Sequence, residues 1–483
     1  MLPPLTAPHT LCDGANITLH LDCLALADCL PSRPGYQCGH PAIWHSFAPG
    51  ALTASCKKTE RFRPDQFPND HLKDMFAAFR GSVEEGPPSP DTALLAPIVL
   101  VVARERGEHA NLFHATTDFL NIFLTLHAAG VIRGARGARA GLEDVQLLLL
   151  DEQRGPFEDA LLRPVFSPHH PVLRVSSLRE GGARRAVLRR ALFVPPGYTS
   201  PMLAASERLD ALRAPDGSHG YCTRRGGSRL LRAYRAFVLA GLGVPSDAAG
   251  RAAAVFPEAS PSPRPGASPS PRRGPNATLA ADGPPRPAGA LLASEAGAGE
   301  TQAPPLPLTP PPTAGDGGDA WDEAAGAEGR AAAGPVRVTF LSRRPYTCGG
   351  VEHATMNRQI ANEGQVLARL RAVRGANVTR RDLACRPPRE QLAAAAATDV
   401  LVAMHGAALT HALFLPDGAA VVEIAPMPGA WRVFEHLARM RGLGYFVHVN
   451  TGPAELDATG ERYTLDAAQV LRCTEREREI GCQ

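Results

Sequence analysis

The stretch from Ser246 to Pro335 limits what this chain can fold into. It carries PSPRPGASPSPRRGP, PPRP, APPLPLTPPP and AGDGGDA, with almost no aromatic or β-branched residues. Such a composition buries too little apolar surface to offset the entropy of ordering it. The segment therefore reads as a disordered Pro/Gly/Ala-rich insertion or linker, partly extended by its prolines. It divides the 483 residues into two blocks that are long enough to bury cores.

Both blocks show the same alternation. Before the insertion, Pro97–Val102 (PIVLVV) reads as a buried strand, His109–Ala129 as a long helix closed by Gly130, and Val145–Leu150 and Ala186–Val194 as further strands. After it, Val336–Leu341 is a strand, Asn357–Val373 a helix opened by Arg358, and Asp399–Met404 a strand. Ala407–Phe414 is a short helix, Ala420–Ile424 a strand, Trp431–Arg441 a helix and Tyr445–Val449 a last strand. Continuous apolar runs alternating with helices predict parallel sheets covered on both faces. The expected fold class is α/β with two lobes, 91–245 and 336–483, a Cys-rich N-terminal segment at 1–90 and the insertion at 246–335. Ligands of open α/β sheets sit beyond the carboxyl ends of the strands.

Charge and cysteine narrow the class. Lys and Arg number 51 against 48 Asp and Glu, a net charge of +3, which argues against nucleic-acid binding through bulk charge. No apolar run approaches the roughly 18 residues of a membrane span, and Met1–Asn16 shows no basic segment followed by an apolar one. Yet five of the ten cysteines (Cys12, Cys23, Cys29, Cys38 and Cys56) crowd into the N-terminal segment without a C-x-x-C pair. That usage fits disulfides in an oxidising compartment better than a zinc ribbon, with buried thiols as the alternative. Asn-x-Ser/Thr triplets at Asn16, Asn276 and Asn377 are candidate glycosylation sites. Together they favour a lumenal protein whose targeting segment is missing from this sequence.

Chemistry is expected at the strand ends. After Pro97–Val102, Asn111, His114 and Asp118 share one helix face, where Asp118 can fix the tautomer of His114 and raise its basicity. Ordinary surface His–Asp pairs have the same spacing. After Asp399–Met404 comes His405-Gly406-Ala407, a small-residue turn that opens a helix and suits a phosphate or diphosphate. A tight packing turn would look alike. Glu423 interrupts an apolar strand, where a carboxylate is expensive unless paired and where it could accept from ribose hydroxyls. Arg343 and Arg358 lie at the same rim, and guanidinium forks suit a diphosphate; Arg344 reads better as a solvated charge. Neither G-x-G-x-x-G nor G-x-x-x-x-G-K-[ST] occurs, which disfavours a dinucleotide oxidoreductase and a P-loop enzyme.

These motifs in order resemble glycosyltransferase family 61: N-x-x-H-x-x-x-D-F from Asn111, S-R at Ser342-Arg343, N-R-x-I-x-N-E from Asn357, and M-H-G-A-x-L-T-H-x-L-F-L-P-x-G-A-x-V-V-E from Met404 to Glu423. The resemblance implies a GT-B architecture of two Rossmann-like lobes. It also implies inverting transfer of a sugar, N-acetylglucosamine or alternatively xylose, from a UDP-sugar in the ER or Golgi lumen. Arg343, Arg358, Asn362, Glu363, His405, Gly406, Ala407, His411 and Glu423 would hold the donor. His114 and Asp118 would be catalytic, with Asn111 beside them on the acceptor side. The implied acceptor is a glycoprotein, N-glycan or EGF-like domain. No cofactor or metal is expected to be required, since the arginines and the helix start would stabilise departing UDP. A non-catalytic nucleotide- or glycan-binding module is the competing class.

Overall fold

The computed structural model describes residues 17–28, 42–54, 70–81, 90–104, 111–132, 139, 141–203, 227–245, 334–348, 351–427 and 432–470. Met1–Val255 and Ala333–Gln483 belong to one compact unit. Nearly all of the expected insertion lies outside the described residues, as do Asn16 and Asn276. Among the described residues no helix is long and apolar enough to cross a membrane.

The fold is mixed α/β, with two parallel sheets. The first runs Arg190–Phe193, Ile98–Val102, Val145–Leu149, Leu173–Arg174. The second runs Ala376–Arg381, Val336–Leu341, Val400–Met404, Ala420–Ala425, Gly444–Val449. In the second sheet the chain steps outward from Val336–Leu341 to one edge, then returns to the other side. The direction of winding therefore reverses between Val336–Leu341 and Val400–Met404, which is where a doubly wound sheet opens a ligand crevice. Phe340, Val402 and Val422 in these strands are fully buried; each such side chain is worth roughly 1.5–3 kcal/mol of burial.

In the first sheet the corresponding reversal falls between Ile98–Val102 and Arg190–Phe193. The helix after Ile98–Val102 runs Leu112–Ala128, capped by Asn111, whose side chain accepts from Phe113 N at 3.0 Å. Gly130, with φ of +68°, ends it. Asn121 on this helix donates to Pro195 O at 3.0 Å and Pro196 O at 2.8 Å, fixing the loop that follows Arg190–Phe193.

Two sequence expectations need correction. The run Ala186–Val194 is not one strand: Arg185–Leu188 pairs antiparallel with Ile17–His20, and Arg190–Phe193 pairs parallel with Ile98–Val102. Two unrelated neighbours compete for adjacent residues, and an apolar run cannot register that. The mixed sheet made by Ile17–His20 also includes Leu52–Ala54, Phe79–Gly81 and Thr92–Leu94, so it draws on both sides of residue 90. The helix expected at Asn357–Val373 begins only at Glu363, because Gln359–Ile360 pairs with Gly460–Tyr463. Arg358 therefore does not open a helix; it sits in a turn with φ of +63°. The expected short helix at Ala407–Phe414 is present, as a 3-10 helix.

The helix Arg229–Gly241 joins the two halves. Ser228 N donates to Met440 O at 2.6 Å, and the buried Arg235 Nε donates to Phe414 O at 3.0 Å. Gly227 (φ +67°) is required there, since a Cβ would lie 2.3 Å from Gly442 N.

A hydrogen-bonded carboxylate ties the N-terminal strand Trp44–Phe47 to the first sheet. Glu152 accepts from His45 Nε2 at 2.9 Å, from Ser176 N at 3.0 Å and from Ser176 Oγ at 2.5 Å. Burial alone would raise its pKa, but these hydrogen bonds outweigh burial and hold it down to about 2. The folded value lies below the ordinary 4.5. The contact's stability is therefore complete above that pH and is lost as pH falls through 4.5 toward 2. Glu152→Gln should lower the melting temperature near neutral pH and flatten its acid limb between these values. An acid limb as steep as the parent's would refute this assignment.

Candidate functional site

The two strands flanking the reversal in the second sheet deliver Ser342-Arg343 and His405-Gly406 to one rim. Gly406 has φ of +154° and ψ of 179°, and it opens the 3-10 helix Ala407–Phe414. A Cβ at Gly406 would lie 3.1 Å from Arg343 Nη1 and 3.8 Å from Arg358 Cζ, so both guanidinium groups rest against this turn. Arg343 Nε donates to Asn357 O at 2.6 Å. Burial, and then the positive charge of Arg358, push the Arg343 pKa down to about 10. Among the described residues neither guanidinium has an ion pair. The leading N–H groups of the 3-10 helix, on Ala407 and Ala408, precede its first i→i+3 bond, from Leu409 N to Gly406 O. Two cations and a helix start converge on one point, an arrangement that favours an anion carrying more than one negative charge.

Neighbouring polar residues hold this rim in place. Glu363, nearly fully buried, accepts from Ser342 Oγ at 2.7 Å, Arg344 Nη2 at 3.1 Å and Arg380 Nε at 2.5 Å. Its carboxylate thus pairs with Arg344 and Arg380 rather than with Arg343 or Arg358. The Asn362 side chain bonds both Leu465 O (2.8 Å) and Leu465 N (2.9 Å), a two-point clasp on the C-terminal segment. His411 is buried, with Nδ1 against Ala408 O at 2.7 Å and Nε2 against Gln391 Oε1 at 3.2 Å. Burial pushes its pKa down to about 4, so the ring is neutral.

Glu423 is paired on both oxygens. His405 Nδ1 meets Oε1, and Tyr445 OH donates to Oε2 at 2.7 Å. The carboxylate therefore fixes the orientation of His405, whose Nε2 has no hydrogen-bond partner among the described residues. Tyr445 went unnoticed in the sequence. A carboxylate in a buried strand needs donors, and Tyr445 carries a hydroxyl on the adjacent strand.

In the first half, His114 is half-buried and Asp118 almost fully buried. Burial lowers the His114 pKa below 6.5, which keeps the ring neutral near pH 7. Asp118 lies close enough to the buried Arg104 for its charge to help raise that arginine's pKa. Gly197, in the loop after Arg190–Phe193, is pressed against this helix: a Cβ there would lie 2.3 Å from Thr117 Oγ1 and 2.9 Å from Asp118 Oδ1. Any side chain there would displace Thr117 or Asp118, and nothing in the sequence marked it.

A chain of ring contacts links the two sets of residues. His405 packs edge-to-face on Phe434 (5.3 Å between centroids), Phe434 on Phe113 (5.7 Å), and Phe113 on His114 (5.6 Å). Phe434, on the helix Val433–Arg441, was also missed, because its aromatic ring reads as ordinary core. The His405 turn and His114 thus lie on the same side of the molecule, one aromatic pair apart. Among the described residues no group of three or more His, Cys, Asp or Glu side chains is placed to hold a metal ion.

Comparison with known proteins identifies the family. The sequence model of the family Glycosyltransferase 61 matches residues 112–422. The chain is similar to the EGF domain-specific O-linked N-acetylglucosamine transferase of Drosophila melanogaster, 39% identical over 110 residues that make up 23% of this chain and 19% of that protein. The proteins of the same description from Bos taurus (37% over 114 residues, 23% and 20%) and Xenopus laevis (38% over 112 residues, 23% and 19%) are similar to the same degree. The matched segment spans about a fifth of the length of these relatives. The family match takes in His114, Asp118, both site arginines and the Gly406 turn, and it covers well over half of the 483 residues; the chain belongs to glycosyltransferase family 61.

Proposed function

We propose that the chain is an inverting glycosyltransferase of GT-B architecture. It would move N-acetylglucosamine from UDP-N-acetylglucosamine to a hydroxyl of a protein, an EGF-like domain by similarity to the named relatives, or of a protein-linked glycan. The observation that supports this most directly is the convergence of Arg343 and Arg358 on Gly406, one aromatic pair away from His114.

The reaction is a single in-line displacement. The acceptor hydroxyl oxygen attacks the anomeric carbon while His114 or Asp118 takes its proton, and a neutral His114 is ready to do so. The bond from the anomeric carbon to the β-phosphate oxygen breaks on the opposite face, so the configuration inverts and UDP departs. Its growing negative charge falls to the two guanidinium groups and to the leading N–H groups of Ala407–Phe414. In its imidazolium form His405 would donate Nε2–H to the diphosphate while Glu423 accepts from Nδ1, and Tyr445 secures Glu423. Two fixed guanidinium groups supply the positive charge for which many sugar-nucleotide sites use a divalent cation, so no cofactor is required. One feature supports a lumenal location: Asn377, on the edge strand of the second sheet, is exposed to glycosylation.

The test supplies purified protein with UDP-N-acetylglucosamine or UDP-xylose and an EGF-like-domain acceptor, and follows UDP release. Acceptor-dependent release from the first donor, undiminished by a chelator, is expected; UDP binding without transfer would make the chain a binding module instead. Of His114→Ala and Asp118→Ala, the one that removes the base should lower turnover at least about 10²-fold. Parent-like turnover in both would sink the mechanism. Arg343→Ala and Arg358→Ala should each weaken UDP binding by about tenfold or more, as loss of a charge-assisted contact implies.

A further inference from the structure

The C-terminal hairpin Ala454–Asp457 and Gly460–Tyr463 lies beyond the stretch matched by the family model, yet its contacts concentrate on the turn that carries Arg358. Met356 N donates to Thr459 O at 2.7 Å. Gln359 Nε2 donates to Met356 O at 2.8 Å, to Thr459 O at 2.9 Å and to Thr459 Oγ1 at 3.2 Å. Glu461 N donates to Asn357 Oδ1 at 3.4 Å. Gln359 and Ile360 pair with Arg462 and Tyr463, and Ala361 N donates to Tyr463 O at 2.9 Å. Every residue from Met356 to Ala361 except Arg358 is thus bound directly to the hairpin.

Arg358 is the residue the others enclose. Its φ of +63° is adverse for an arginine, by about 1 kcal/mol or more. Such a conformation persists only when its surroundings determine it. Gly460 lets the hairpin close in: its own φ is +111°, and a Cβ there would lie 2.6 Å from Met356 O and 3.0 Å from Asn357 Oδ1. Asp457 shapes the hairpin turn by accepting from Thr459 N at 2.7 Å and from Thr459 Oγ1 at 2.5 Å.

We propose that the Thr459–Gly460 turn and Gln359 are positioning residues that hold Arg358 in its left-handed conformation, so that its guanidinium meets Arg343 at Gly406 and grips the diphosphate of a nucleotide sugar. This rests on the diphosphate reading of the Gly406 turn. The hairpin itself touches no reacting atom; it acts through the backbone of residue 358.

The test measures UDP affinity of the full chain well below each variant's melting temperature, for the parent, Gly460→Val, Gln359→Ala and Thr459→Ser. Gly460→Val and Gln359→Ala should each raise the UDP dissociation constant about tenfold. Thr459→Ser keeps the hydroxyl and should match the parent. The gap between the weakened variants and the parent should narrow from about 0.05 to 0.5 M salt, because the lost contact is a charged one. Parent-like UDP affinity in a folded Gly460→Val or Gln359→Ala overturns the proposal. So does a loss in all three variants that follows their melting temperatures and ignores salt. A parent that fails to bind UDP overturns the diphosphate reading first and leaves the hairpin no site to serve.

Discussion

The site depends on two like charges held against one glycine. At several ångström and an effective dielectric near 20, two guanidinium groups repel by a few kcal/mol. Burial adds to this, as the lowered pKa of Arg343 shows. Among the described residues no carboxylate pairs with either arginine to offset this. The arrangement is maintained by hydrogen bonds to atoms that carry no formal charge: Asn357 O on Arg343 Nε, and the backbone pairings around Arg358. Glu363, the carboxylate that could have neutralised the pair, is fully engaged with Ser342, Arg344 and Arg380. The unbalanced charge is thus a property the fold preserves, and an arriving dianion would relieve it.

The same separation of roles appears across the site. Residues at the rim are held by others beside them. Glu423 fixes His405, and Tyr445 fixes Glu423. Phe434 stands between His405 and Phe113 and so sets the distance between the Gly406 turn and His114. Edge-to-face ring pairs suit this task because they resist sliding and are worth about 0.5–1.5 kcal/mol each beyond burial. A shift of the helix Val433–Arg441 would therefore disturb the spacing between the Gly406 turn and His114.

Much of this was legible in the sequence because parallel strands buried on both faces leave continuous apolar runs. PIVLVV, VQLLLL, VRVTFL and DVLVAM all became strands, and the residues just past Val336–Leu341 and Val400–Met404 became the rim. What stayed hidden depended on partners distant in sequence. The split at Arg189 reflects pairing with residues 17–20 on one side and 98–101 on the other. The late start of the helix at Glu363 reflects strand pairing with a segment about a hundred residues downstream. Gly197 mattered only once the loop bearing it had been drawn against Asp118 by Asn121. His411, Asn362 and Glu363 belong to the motif the sequence exposed, but pattern alone could not show how far their side chains are taken up in holding the rim together.

The two sheets end in cations at equivalent places, and their different treatment shows how the site is distinguished from the scaffold. Arg104 follows Ile98–Val102 as Arg343 follows Val336–Leu341. Arg104 is buried and saturated: Nε and Nη2 both donate to Asp151, at 3.0 and 2.6 Å, and Nη2 also donates to Gln153 O at 2.5 Å. Arg174 nearby is similarly matched to Glu158 and Gln153 O. A buried ion pair of this kind fixes geometry, and breaking one side is far more damaging than the pair's net worth. Arg343 receives one carbonyl and a second arginine instead. With the same residue type at the same topological position, the first half uses its cation to lock strand ends, and the second keeps its charge uncompensated at the crevice. Among the described residues, the Gly406 rim is thus where two cations stand together without a carboxylate partner.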